Sequence, residues 1–335
     1  MEPYKLDFEN YRKLLMKYIE SEDESTLYQA EQFTRTSMQQ HISPEEIINV
    51  HIQILKEIYP DMPHEIDASM KFLLETMISY GLAYQEFQSL REKQVELESE
   101  IAVAASMQQT LLSTTIPKVQ GLEIGAVSVP AHRMNGDYIH FVTGGESSNI
   151  GIAIADVIGK GIPAALAMSM IKYSLDSFPD AMCSPSETLE SLNRVVERNV
   201  DSSMFITMLY GLYNREISTL YFSSAGHEPG FYYSAARKEF VEIQAKGLVL
   251  GVSPQVKYEE YELKLSDGDM VVLLTDGVTE CRLGDNFIET DEVLKVIEKY
   301  MHLPAQEAVD SVYRHFERLQ EFQLRDDFTL IFLKK

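Results

Sequence analysis

NIGIAIAD, residues 149–156, is an apolar run that ends on a carboxylate and leads into Val157-Ile158-Gly159-Lys160-Gly161. β-Branched residues at that density, closed by a glycine turn, predict a strand with a tight exit. Working outward, the same texture recurs in LEIGAVSVP (122–130), DYIHFVT (137–143), MFITMLYGLY (204–213), TLYFSSA (219–225), GFYYS (230–234), MVVLLTD (270–276) and FTLIFL (328–333). Helical spacing predicts helices over 162–177, 186–200, 290–300 and 305–321. Strands follow strands without strict βαβ alternation. The fold class is therefore α+β, a sandwich built from residues 117–335.

The first ~115 residues lack strand patterning. Apolar residues recur at helical spacing, as in Leu6, Tyr11, Leu14, Leu15 and Tyr18. Ser43-Pro44-Glu45-Glu46 predicts a helix start with a capping box, and Pro60 ends that helix. A fourth helix is expected from near Pro63. These features predict an all-α four-helix bundle over residues 1–83. Residues 84–113 contain neither Pro nor Gly, so helix can continue. Phe87, Leu90, Gln94, Leu97, Ile101, Ala104, Gln108 and Leu111 alternate by three and four, a heptad seam. Two glutamines make it a marginal dimeric coiled coil, poised for a partner to tip. The alternative is a solvated connector. Residues 84–116 are read as this linker and 1–83 as a dimerisation and activator-binding domain.

Composition limits the partners. The 335 residues carry 52 acidic and 29 basic side chains, a net charge of −23. Such a surface repels nucleic-acid phosphates and anionic lipid heads, so neither is expected as a partner. No apolar run approaches the about 18 residues of a membrane span. MEPYKLDFENYRK lacks the basic start and apolar block of a signal peptide, so a cytoplasmic location is expected. Cys183 and Cys281 read as two thiols in a reducing compartment and are too few for a zinc site.

Four carboxylates sit at strand tips: Asp137 in Asn135-Gly136-Asp137-Tyr138, Asp156, Asp276 before Gly277, and Asp326 beside Asp327. Any one of them is an ordinary turn residue. Together they would repel one another unless cations joined them. Oxygen ligands of this kind select Mg²⁺ or Mn²⁺ over zinc.

NGDY, DVIGKG, DGVTE and DDFTL, in that order, resemble the motifs of the PPM-type metal-dependent protein serine/threonine phosphatases. SAGHEPGFYY resembles the AGH-x-P signature of their bacterial SpoIIE branch. The resemblance covers about residues 100–335 and implies an αββα sandwich. It further implies two divalent ions, Mn²⁺ or Mg²⁺, held by Asp137, Asp156, Asp276, Asp326 and the Val157 backbone carbonyl, with Asp156 bridging. Asp327 would support the ligands. The implied chemistry is direct attack of activated water on a phosphoserine, with no phosphoenzyme. Stress-response members of the branch imply a phosphorylated anti-anti-sigma (STAS-domain) protein as substrate, an RsbT-like switch kinase as activator, and a homodimer. Two positions depart from relatives. Asn135 stands where many have Ser, and Ile158 where eukaryotic members carry a proton-donating His, so the general acid is unassigned.

Other residues have competing readings. His227 either orients substrate or a loop, or is a hydrogen-bonded turn histidine. Gly136 and Gly277, beside the ligand carboxylates, are candidates for supporting the ligands or contacting substrate. Gly159-Lys160-Gly161 lacks the spacing of a nucleotide-binding loop, and Lys160 is a candidate for contact with substrate phosphate. The competing function is a catalytically degenerate scaffold that binds partners through its helices.

Overall fold

The computed structural model describes residues 7–40, 42–143, 149–158, 161–178, 184–201, 204–283, 286–322 and 324–335. The chain divides into two compact units, Met1–Glu98 and Ser99–Lys335.

The first unit contains α1 (Phe8–Ser21), α2 (Glu24–Gln39), α3 (Pro44–Ile58) and most of α4 (His64–Leu111). Asp7 and Asp23 cap α1 and α2 by accepting hydrogen bonds from Asn10 N and Ser25 N. Pro44 opens α3, but Ser43 makes no side-chain cap bond, so the expected capping box does not form. Ile42, Ile52 and Ile54 are buried, and Tyr11 bridges the helices by packing on Phe33 and bonding His51 Nδ1 through its hydroxyl. The fourth helix and the linker are one continuous helix of 48 residues, α4. With no Pro between His64 and Leu111, no backbone N–H of the ladder is lost.

The second unit continues with β1 (Glu123–Val129), β2 (Asp137–Thr143), β3 (Asn149–Ile158), α5 (Ile162–Ser177), α6 (Pro185–Asn199), β4 (Phe205–Asn214), β5 (Thr219–Ala225), β6 (Gly230–Ser234), β7 (Glu239–Ile243), β8 (Tyr261–Lys264) and β9 (Met270–Leu274). There follow the turn α7 (Asp276–Thr279), a small ribbon of β10 (Arg282–Leu283) and β11 (Asn286–Phe287), α8 (Thr290–Tyr300), α9 (Ala305–Leu319) and β12 (Phe328–Lys334). Two antiparallel five-stranded sheets form, in the orders β1-β12-β9-β6-β7 and β2-β3-β4-β5-β8.

Strand alternation builds the layers. On β3, Ile150, Ile152 and Ile154 fill the space between the sheets, while Ala153, Ala155 and Val157 face α5 and α6. On β12, Ile331 and Leu333 point between the sheets, while Phe328, Leu330 and Phe332 pack with α8 and α9. Successive side chains of a strand point to opposite faces, so both sheets bury both faces and the unit is an αββα sandwich. Ser184 and Glu187 close the capping box that starts α6. The edge strands β7 (EFVEI) and β8 (YELK) were not expected from sequence. Their charged residues protect the sheet edges and break the apolar pattern.

Candidate metal centre and active site

Asp137 opens β2 and pairs in register with Asp156 of β3. Asp156 in turn pairs with Thr207 of β4. Adjacent strands therefore set two carboxylates side by side on a rigid sheet. Asp137 is buried, 3% exposed. Thr275 Oγ1 donates to its Oδ2 at 2.7 Å, and the Thr329 hydroxyl also bonds it. Burial nevertheless pushes its carboxyl well above the usual range, and the Asp156 and Asp327 charges add to this.

Asp156 is pushed up to about 7, chiefly by burial and then by Asp276, Asp326 and Asp327. Asp276 is raised by burial and by Asp326 and Glu280. It lies just beyond β9 as the first residue of the α7 turn rather than within the strand. Asp326 lies in the loop entering β12, and its Oδ1 accepts from Asp327 N at 3.0 Å. The charges of neighbouring carboxylates thus add to burial at Asp137, Asp156 and Asp276.

Asp327 binds backbone. Its Oδ1 accepts from Ala131 N at 2.7 Å and its Oδ2 from Gly136 N. Gly277 is sterically required, whereas Gly136 is closely but not prohibitively packed. A Cβ on Gly277 would stand 1.9 Å from the Asp327 carbonyl oxygen. A Cβ on Gly136 would stand 3.2 Å from Asp327 Oδ2, 3.5 Å from Asp156 Oδ1 and 3.7 Å from the Val157 carbonyl oxygen. The Val157 N–H donates to the Gly136 carbonyl at 3.2 Å.

Among the described residues, no three His, Cys, Asp or Glu side chains close into a cluster that would hold one ion. Like charges in a site of low dielectric hold apart. In chemistry the donors fit a hard divalent cation: several carboxylates, and the Val157 carbonyl oxygen close to Gly136.

His227 bonds Thr207, the residue paired with Asp156 on the next strand. Its ring is 8% exposed, Nδ1 meets Thr207 Oγ1 at 3.0 Å, and Nε2 lies beside the Leu274 carbonyl without a full hydrogen bond. Burial lowers its pKa to about 4, so it is neutral at pH 7. Its neighbour Glu228 is the residue of that motif that senses the site. Burial and then Asp276, Glu280 and Glu242 raise its carboxyl. Lys160 and Cys183 lie outside the described residues.

Sequence reasoning missed Thr275, Thr329 and Gln108. The Gln108 side chain, read as a weak seam position, is buried and bonds Asn135. The hydroxyls at the edge of β9 and within β12 carried a weak signal, as polar residues in otherwise apolar strands. Gln94, the other seam glutamine, donates to Glu98 at the surface.

Comparison with known proteins agrees with this architecture. A family model described as Stage II sporulation protein E (SpoIIE) matches residues 146–335. Another, the N-terminal domain of phosphoserine phosphatase RsbU, matches residues 9–83. Phosphoserine phosphatase RsbU of Bacillus subtilis is 53% identical over 327 residues, covering 98% of this chain and 97% of that protein. Protein IcfG of Synechocystis is 27% identical over 55% of this chain and 33% of its own length. Among solved structures, the SiaA-PP2C domain of Pseudomonas aeruginosa aligns with a TM-score of 0.61 at 17% identity, over 72% of this chain and 98% of that one. The RsbU and RsbW domains of Rv1364c from Mycobacterium tuberculosis align at 0.56 and 23% identity, over 66% and 63%. The structural matches show a shared PP2C-like fold. With the SpoIIE model over more than half its length and an RsbU relative along nearly all of it, the chain belongs to the RsbU phosphoserine phosphatases of the SpoIIE family.

Proposed function

We propose that this phosphatase removes phosphate from a phosphoserine of an anti-anti-sigma (STAS-domain, RsbV-like) protein. An RsbT-like switch kinase activates it by binding the helices of residues 1–83, and a homodimer forms through the helical region. The observation that carries the catalytic reading is the in-register pair Asp137–Asp156, with Asp276 and Asp326 close enough to shift Asp156. In this reading Asp137, Asp156, Asp276, Asp326 and the Val157 carbonyl hold two divalent ions, Mn²⁺ or Mg²⁺. Bound there, such ions supply positive charge against the phosphate and acidify water. Thr275 and Thr329 hold the Asp137 carboxyl in place, and Asp327 fixes the Gly136 backbone. The dimer reading is supported by Phe87, Leu90 and Leu97, large apolar side chains more than half exposed on one stripe of α4.

The test is phosphate release from a phosphorylated anti-anti-sigma protein, with Mn²⁺ or Mg²⁺, with and without the switch kinase. Turnover should require metal, rise with the kinase and vanish in Asp156→Asn with the fold intact. Full turnover by Asp156→Asn would overturn the ligand assignment. Turnover indifferent to the kinase would overturn the activator.

A further inference from the structure

α4 ends on the loop that carries Asp137, and the contact is specific. Gln108 is 5% exposed, unusual for a glutamine on a long helix. Its Nε2 donates to the Asn135 carbonyl at 2.6 Å, and its Oε1 accepts from the Asn135 N–H at 3.0 Å. One amide thus satisfies both backbone polar groups of a single residue, as a neighbouring strand would.

Asn135 passes the constraint on through its own side chain. Its Oδ1 accepts from Asp137 N at 3.0 Å, fixing the turn that ends in the carboxylate. Its Nδ2 donates to Ser128 Oγ at 2.8 Å, and Thr329 Oγ1 bonds the same Ser128 oxygen at 3.0 Å. Thr329 also bonds the Asp137 carboxyl. Between Asn135 and Asp137 lies Gly136, whose carbonyl receives the Val157 N–H. Two peptide bonds therefore separate Asn135, the residue the helix amide holds, from Asp137.

A cavity of about 570 Å³ lies beside the contact, bordered on the helix by Ala102, Ala105 and Ser106. Just past the helix, Leu112 and Ile116 border the same cavity and pack on the core, so the amide of Gln108 is the polar part of a mixed anchor.

We infer that Gln108 is a positioning residue for the metal centre: its amide holds Asn135 so that Asp137 and Gly136 are ordered for cation binding. The inference rests on Asp137 being a metal ligand. Loss of the amide frees the loop and weakens metal binding.

The test replaces Gln108 by Met, which keeps length and apolar volume and removes both bonds, in the full-length protein. Gln109→Met, an exposed neighbour on the same helix, is the control. Mn²⁺ binding is measured by calorimetry, and amide hydrogen exchange is measured on the metal-free protein. Gln108→Met should weaken Mn²⁺ binding at least fivefold and speed exchange across residues 131–138 at least fivefold. Exchange across β4 should stay unchanged, KM for the phosphoprotein should stay within twofold, and Gln109→Met should match wild type throughout. If Gln108→Met does not fold, Gln108→Leu takes its place with the same expectation. Wild-type exchange and Mn²⁺ affinity in a folded variant would overturn the proposal, as would acceleration spread equally over both sheets. Failure of wild-type protein to bind Mn²⁺ would instead overturn the ligand assignment, while the metal-free exchange result would still judge the clamp.

Discussion

Thr275, at the end of β9, donates its hydroxyl to Asp137, at the start of β2, across 2.7 Å. The two strands belong to different sheets, so this bond ties the sandwich together at the candidate metal centre. Thr275 is fully buried. Thr275→Val keeps the shape and removes the donor, which leaves a buried carboxylate short of one partner. Denaturant unfolding of the metal-free protein should show a loss of about 1–3 kcal/mol. The Mn²⁺ concentration for half-maximal activity should rise severalfold.

Gly277 leaves no room for a side chain, because the Asp327 carbonyl stands where a Cβ would begin. The clash is with backbone and cannot be relieved by a rotamer change. Gly277→Ala should displace the loop carrying Asp326 and Asp327, cost about 3 kcal/mol or more, and remove metal-dependent turnover. Thermal unfolding and phosphatase assays on the purified variant check both effects. Wild-type activity in this variant would contradict the packing described.

His227 makes stability depend on acid. Burial lowers its pKa from the ordinary 6.5 to about 4. The unfolded chain therefore takes up the proton first as pH falls. The contribution is complete above about pH 6.5, declines between 6.5 and 4, and is lost below. At about 1.4 kcal/mol per unit, the shift is worth up to about 3 kcal/mol. His227→Gln should unfold with a visibly shallower pH slope across that window, whatever its baseline stability. Parallel slopes would show that His227 titrates normally.

Cys281 sits beneath the Gly277 turn, with its thiol bonded to the Gly277 carbonyl and to Gln320 Nε2, both at 3.1 Å. Burial pushes the thiol up to about 12. The thiolate is the reactive form, so at pH 8 alkylation of Cys281 should be at least about a hundredfold slower in native than in urea-unfolded protein. Peptide mapping by mass spectrometry distinguishes Cys281 from Cys183.

The sandwich was legible because β3, β4, β9 and β12 are buried on both faces, which writes unbroken apolar runs into the sequence. The edge strands β7 and β8 were not, since their exposed charged positions dilute the same signal. The carboxylates stood out because each interrupts an apolar strand or its exit. The Gln108–Asn135 contact had no sequence signature. It joins a helix to a backbone 27 residues later, and Gln108 also fitted a heptad position. Continuity of α4 was half visible: absence of breakers permits a long helix but does not tell where one packing environment gives way to another.

The pairing of β1 with β12 has a cost in time. Val129 lies opposite Phe328, about two hundred residues further along. At the usual about 5–20 residues per second of synthesis, β1 waits about 10–40 s for its partner. During that interval its ladder of backbone groups has no neighbour in the finished order, because β12 alone separates it from the rest of its sheet. The nascent enzyme thus emerges with an open strand edge and with Asp137 and Asp156 already made but Asp326 still to come. On the proposed ligand set, catalysis waits until synthesis has passed that point, and the growing chain is a natural client for chaperones that shield unpaired strands.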